Sequence, residues 1–228
     1  MITFDNVTKK FGEITALDRV SFGIKDKEFV FITGPSGAGK TTIIRLIRRE
    51  YLPTSGTIRV DSRQLDKLSK KELLQLRRSV GVALQNLKLL FDRTVYENVA
   101  ISLKVLGKKE EVIEKEVKEV LELVGLSDRA HLFPAQLAGG ELQRTCLAQA
   151  VVAQPKVIIA DEPTGNLDPA TGWQIVKLLK KIHQSGRTVI MATHNSEIVN
   201  ATKARVISFD KGKLVSDKKK GKYQVING

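Results

Sequence analysis

The stretch FVFITGPSGAGKTTIIRLIRRE, Phe29 to Glu50, constrains this chain more than any other. Its first residues are apolar, β-branched or aromatic and read as a buried strand; its last eleven, from Lys40, read as a helix. Between them the spacing G-x-x-x-x-G-K-[ST] is met from Gly34 to Thr41. Strand, glycine loop and helix in this order are the context in which that spacing forms a phosphate-binding loop. The glycines let successive backbone N–H groups approach phosphate oxygens, the Lys40 ammonium reaches the β and γ oxygens, and the Thr41 hydroxyl can ligate magnesium. Gly34, Pro35, Ser36, Gly37, Ala38, Gly39, Lys40, Thr41 and Thr42 are therefore the predicted phosphate cradle.

The rest of the chain supplies a sheet for that loop to stand on. Strands are expected at ITFDNV, VSFGI and TIRV, the last after the PTSG turn at Pro53–Gly56, and at VGVALQ from Val80 to Gln85. Three further runs, KVIIAD, TVIMAT and VISFD, are almost continuously apolar, as in strands covered on both faces. Between Asn86 and Pro155 no strand signal appears. Ser69 with Glu72, and Thr94 with Glu97, have capping-box spacing, and Ile113, Val117, Val120, Leu121 and Val124 share one helix face. Glu111 with Lys115, and Glu114 with Lys118, are spaced as i,i+4 pairs on a solvated face. The alternation predicts an α/β fold with a mostly parallel sheet, interrupted by a helical insertion.

A second chemical motif is VIIADEP. Asp161 ends an apolar run, where a carboxylate can hold a metal through its water shell, and Glu162 is placed to orient or deprotonate an attacking water. Gln85 and His194 also end strands and are candidates to sense the metal and the γ-phosphate; His131 and His183 have no such setting and read as structural or surface residues. Asp168 and Pro169 look like the N-cap and first turn of a helix that carries Trp173. LAGGELQR, Leu137 to Arg144, opens another helix with a glycine pair, which is either a second anion site or simply a turn.

The single cysteine, Cys146, excludes an intramolecular disulfide and fits a reducing compartment. The N-terminal residues lack the order of a signal peptide, and no apolar run approaches the ~20 residues that span a bilayer. Attachment to a membrane would thus need another chain. A formal charge of +13 favours polyanionic partners without choosing among nucleotides, nucleic acid and acidic lipid. Much of the excess lies in DKGKLVSDKKKGKY, which reads equally as a solvated tail or as a patch for an anionic membrane surface.

Taken in order, GPSGAGKTT, Gln85, LAGGELQR, VIIADEP, Asn166–Asp168 and His194 resemble the ATP-binding cassette ATPases over almost the whole chain. The resemblance implies a P-loop NTPase, RecA-like core with an N-terminal antiparallel β part in residues 1–85 and 156–228, and a helical signature subdomain in 86–155. It implies ATP and Mg2+ as cofactors, with Thr41, Gln85 and Asp161 at the metal and Glu162, Gln85 and His194 catalytic. Two copies would pack head to tail, so that Ala138, Gly139 and Gly140 of one chain close on the γ-phosphate held by the other while Asp168 follows the seam. Phe11 matches the residue that stacks on adenine; a core phenylalanine is the competing reading. Most members carry serine where Ala138 stands, and the missing hydroxyl removes a hydrogen bond to a charged group worth roughly 1.5–3 kcal/mol.

DEPTGNLD resembles the branch that holds lipoprotein-releasing, macrolide-exporting and bacterial cell-division cassettes, and DRTVYENVA looks most like the cell-division group, with Phe91 replacing a usual proline. That implies an ATP-bound homodimer on the cytoplasmic face of the plasma membrane, partnered by the integral membrane protein FtsX and regulating cell-wall hydrolysis. An exporter ATPase of the same branch is the alternative. A nucleic-acid-associated cassette is not expected, because neither a long coiled-coil insertion nor a second cassette is present.

Overall fold

The structure is a computed structural model and describes residues 1–84 and 88–223. β1 (Ile2–Phe11) and β2 (Ile14–Ile24) form a long antiparallel hairpin turned at Gly12 and Glu13. β3 (Phe29–Thr33) leads through the glycine loop to α1 (Lys40–Ile47). β4 (Ser55–Val60), β5 (Arg63–Gln64), α2 (Lys70–Ser79) and β6 (Val80–Ala83) follow. Next come three longer helices, α3 (Val95–Val105), α4 (Glu110–Val124) and α5 (Gly139–Val151). β7 (Val157–Asp161), α6 (Pro169–Gln184), β8 (Thr188–Thr193), α7 (Ser196–Thr202), β9 (Arg205–Asp210) and β10 (Lys213–Lys218) complete the described elements.

The strands make an antiparallel sheet, β2-β1-β4-β5, and a six-stranded sheet, β10-β9-β3-β8-β7-β6, in which only the β10–β9 pair is antiparallel. The predicted α/β class and its mostly parallel sheet are present. Continuous apolar runs are needed because the large sheet has a core on each face. Phe29, Phe31, Ile158, Ala160, Val189 and Met191 point to a core shared with α3, α4, α5 and α6. Their neighbours Val30, Ile32, Val157, Ile159, Ile190 and Ala192 join a second core with α1 and the antiparallel sheet. Each large side chain so buried contributes about 1.5–3 kcal/mol, and a charge at Ile32 or Met191 would have no wet face to turn towards.

Both capping boxes form: Ser69 accepts from the Glu72 N–H at 3.3 Å and Thr94 from the Glu97 N–H at 3.2 Å, with each glutamate bonding back. The expected face of α4 is buried. Its surface charges arrange themselves differently, with Lys115 meeting Glu119 at 4.0 Å; long exposed side chains gain too little from any one pairing to be held to it. α1 stops at Ile47, short of Glu50. Arg49 adopts φ +50°, and the N–H groups of Arg49 and Glu50 return to the carbonyls of Leu46 and Arg45, a Schellman closure that ends the helix. β6 ends at Ala83, two residues before Gln85. β1 and β2 run longer than expected, because shifts of register along the hairpin accommodate Asn6 and Arg19 at positive φ without ending the pairing. The basic C-terminal stretch is not wholly a solvated tail, since Lys213–Lys218 pair with β9. Among the described residues no helix is long and apolar enough to cross a membrane.

Candidate functional site

Sheet order assembles the site. β8 lies between β7 and β3, in parallel register with both, so the C-terminal ends of the three strands are adjacent. The glycine loop leaves β3, Asp161 and Glu162 stand at the tip of β7, and His194 follows β8. Parallel sheets bind ligands beyond such carboxyl ends. Here a cavity of 530 Å³ opens, lined by residues 35–42, Glu162, His194, the Ile14–Ala16 segment of β2 and Tyr223.

The loop depends on backbone freedom at Gly39. It caps α1 with φ +101°, and a Cβ there would lie 2.8 Å from both the Ala16 carbonyl oxygen and the Leu17 side chain. Lys40, only 8% exposed, donates from Nζ to the carbonyls of Gly34 at 2.8 Å and Pro35 at 3.0 Å and lies 3.6 Å from Glu162 Oε1. A buried ammonium satisfied by carbonyls and one carboxylate can exchange these partners for phosphate oxygens without first being dehydrated.

Beneath the loop, the Thr41 hydroxyl donates to Asp161 Oδ2 at 3.2 Å. Asp161 is 5% exposed, and its Oδ1 is buried with no hydrogen-bond partner among the described residues. Burial holds its carboxyl above the ordinary carboxylate range, with the Thr41 hydroxyl acting in the opposite direction. An orphaned carboxylate oxygen beside a hydroxyl fits a hard cation that keeps most of its ligands as water and phosphate oxygen. A cage of protein ligands is not part of this arrangement: among the described residues no group of three or more His, Cys, Asp or Glu could hold a metal.

Glu162 takes a left-handed backbone, φ +47°, and its N–H donates to the Ala192 carbonyl at 2.9 Å. Its carboxylate is enclosed, meeting His194 Nδ1 at 2.8 Å and the His194 backbone N–H at 3.4 Å. A nearly buried base held by an exposed imidazole and a buried ammonium can position a water at the cavity wall.

The remaining predicted residues divide. Ala138 caps α5, and a Cβ on Gly139 or Gly140 would meet Leu167 at 3.5 Å or Thr171 at 2.4 Å, so the glycine pair packs on the entry and first turn of α6. Asp168 caps α6 by accepting the Thr171 N–H at 3.0 Å. None of these four residues lines the cavity of its own chain. Phe11 is 40% exposed, which removes the core reading; it closes the β1–β2 hairpin opposite Ile14, edge-on to Tyr51 at 5.1 Å and under the Lys9 ammonium at 4.8 Å. The ring itself is not part of the lining, although Ile14 is. Gln85 lies outside the described residues. His183 bonds the Arg187 carbonyl and abuts Phe29, in keeping with a structural role.

Sequence reasoning missed Ile14, Thr15, Ala16 and Tyr223. The first three carried no signal beyond strand alternation, and their place depends on how the antiparallel sheet folds over the loop. Tyr223 sat at the end of a basic stretch with no motif around it.

A glycine loop with a buried lysine, a hydroxyl–aspartate pair beneath it and an enclosed glutamate beside it define a phosphate-loop nucleoside triphosphatase. Comparison with known proteins narrows this further. The family described as ABC transporter matches residues 17–165, and this chain belongs to it as an ATP-hydrolysing cassette. It is 48% identical over 224 residues to the cell division ATP-binding protein FtsE of Bacillus subtilis (strain 168), covering 98% of both chains. The methionine import ATP-binding protein MetN of Carboxydothermus hydrogenoformans is 44% identical, over 90% of this chain but 61% of its own length. Among solved structures, the dimeric ATP-binding cassette MJ0796 in a post-hydrolysis state, bound to ADP and Pi, superposes with a TM-score of 0.87 at 35% identity, covering 98% of this chain and all of the other.

Proposed function

We propose that this chain is the ATPase subunit of a cell-division complex of the FtsE–FtsX type, in which ATP-driven closure of a homodimer acts on the membrane protein FtsX and regulates cell-wall hydrolysis. The observation that carries this reading is end-to-end similarity: the FtsE relatives are matched over 97–98% of their length, whereas the importer relative is matched over only 61% of its own. Residues 1–85 and 156–228 serve as the nucleotide-binding core and 86–155 as the helical signature unit. The protein then works at the cytoplasmic face of the plasma membrane, held there by its partner, with its basic surface facing acidic lipid.

In the proposed cycle, Lys40 exchanges the carbonyls of Gly34 and Pro35 for β- and γ-phosphate oxygens while the N–H groups of the loop surround the triphosphate. Thr41, Gln85 and, through water, Asp161 would hold Mg2+, which when bound supplies charge neutralisation across the β and γ oxygens. Glu162 orients the attacking water, and His194 fixes the Glu162 carboxylate and reaches the γ-phosphate. Phe11 stacks on adenine. Gly139 and Gly140 present the N-terminus of α5 to the ATP of the second copy, with Asp168 along the seam, which accounts for their place outside their own cavity. For the membrane partner, support comes from a groove of 500 Å³ between α2, β6, α3 and α5. Leu74 and Val105, two exposed apolar residues, line it together with Arg77 and Arg78.

Glu162→Gln tests the cycle. Turnover should fall by roughly 10²-fold or more, and the variant should become dimeric in Mg-ATP, as read by light scattering, and co-purify with FtsX. A variant that hydrolyses normally or stays monomeric refutes the mechanism, and co-purification with an export permease instead assigns the chain to that class.

A further inference from the structure

Tyr223 enters the cavity from a part of the chain that no nucleotide motif covers. After β10 the backbone turns back across the body. Gly221 donates its N–H to the Ala204 carbonyl at 3.1 Å and passes so near Val206 that a Cβ would approach that side chain to 2.7 Å. Two residues on, the Tyr223 N–H donates to Asn200 Oδ1 at 2.7 Å, on the helix that begins directly behind His194. The ring packs on the edge of the core shared with α6 and α7 and reaches the cavity wall that also holds Glu162 and His194. The tether uses only the backbone N–H, and the residue lines the cavity near enough to Glu162 for that carboxylate to act on the phenol.

We propose that the Tyr223 hydroxyl is a ligand for the terminal phosphate of ATP, so that the C-terminal return of the chain completes the nucleotide site. The proposal rests on the site reading above, which places the γ-phosphate between Lys40, Glu162 and His194. A phenol suits this position because it donates a single hydrogen bond without adding charge beside a glutamate that must stay ionised. Burial, and then the Glu162 carboxylate, raise the phenol above its ordinary value, so it remains a donor throughout the neutral range. ADP lacks the phosphate that this hydroxyl would meet, so the contact distinguishes the two nucleotides. It would also couple the docking of the basic segment Lys218–Lys222 to the presence of ATP.

The test is Tyr223→Phe, which keeps the ring and the backbone tether and removes only the oxygen. With Mg2+ present, calorimetric titration should show binding of the non-hydrolysable analogue AMP-PNP weakened by about tenfold or more, the loss expected for one hydrogen bond to a charged group, and ADP binding unchanged. The melting temperature without nucleotide should equal that of the parent. Asn200→Ala, which loosens the tether, should reproduce a smaller loss confined to AMP-PNP. Equal affinities for both nucleotides before and after Tyr223→Phe overturn the proposal while leaving the site reading intact. Equal weakening of both, the mark of a structural role, or equal tightening of both, the mark of a segment that merely blocks the cavity, overturns it as well. Failure of the parent chain to bind AMP-PNP would remove the site reading and this proposal together.

Discussion

Replacing Ala138 by serine isolates the contribution of one hydroxyl at the start of α5. Ala138 already has N-cap geometry, φ −69° and ψ 158°, and its methyl side chain makes no cap hydrogen bond to the first turn of the helix. Half of a capping box is nevertheless in place, because Glu141 Oε2 accepts the Ala138 N–H at 2.9 Å while Arg129 steadies the other carboxylate oxygen at 3.0 Å. A serine oxygen would supply the other half without backbone movement and, at an exposed position, without a burial cost. Such a cap contributes ~1 kcal/mol, within a range of about 0.5–2. In a chain of this size that is an increase of about 2–4 °C in the nucleotide-free melting temperature, measured by differential scanning calorimetry. The two halves differ in their response to acid. The Ala138 N–H, followed by Arg129, holds the Glu141 carboxyl below its ordinary value, so its contribution is present above the unfolded pKa and lost as pH falls through the folded one. The serine oxygen does not titrate, and its increment should persist at the lower pH. If the same hydroxyl also faces a second copy's γ-phosphate, the ATP-dependent dimer of the Glu162→Gln variant should tighten about tenfold or more. An unchanged or lower melting temperature refutes the capping argument, and a higher one with no gain in dimerisation separates stability from the head-to-tail assembly.

Two further perturbations test the interior of the site and its rim. Desolvation raises the Asp161 carboxyl, so its contribution to stability is present below the unfolded pKa and lost as pH rises through the folded one; Asp161→Asn should gain in melting temperature relative to the parent between about pH 4 and pH 7 without nucleotide or Mg2+, yet lose Mg-dependent turnover, and a difference independent of pH refutes the desolvated carboxylate. At the rim, a methyl on Gly140 would sit 2.4 Å from Thr171 Cγ2. A double-mutant cycle of Gly140→Ala with Thr171→Ala by chemical denaturation should therefore show coupling of about 1–3 kcal/mol, with the helix propensity gained by alanine cancelling between backgrounds; additive effects would mean that the close approach does not exist.

Much of the site was legible because its chemistry is local in the chain. A phosphate cradle needs consecutive N–H groups, so Gly34–Thr42 appear as one uninterrupted word, and a carboxylate pair at a strand end needs only the apolar run before it, so Asp161 and Glu162 could be read from VIIADEP. The capping boxes at Ser69 and Thr94 were visible for the same reason, being contacts three residues apart. Features that depend on how one segment meets another were misjudged or missed. The stop of α1 at Ile47 depends on Arg49 adopting a conformation that favours glycine, and the length of the β1–β2 hairpin depends on bulges that alternation does not encode.

By itself the sequence determined the α/β class, the glycine loop before α1 and the carboxylate pair at the end of β7, since these follow from hydrophobic period and from neighbours along the backbone. Only the tertiary structure decided that β8 would lie between β7 and β3, bringing His194 within 2.8 Å of Glu162. It also decided that the glycine pair would lie outside the lining of its own cavity, and that Tyr223 would return from the far end of the chain to line it. The physical reason is that strand order and chain return are selected by the burial of two apolar faces at once, a sum over the whole molecule that leaves no mark on any short stretch of residues.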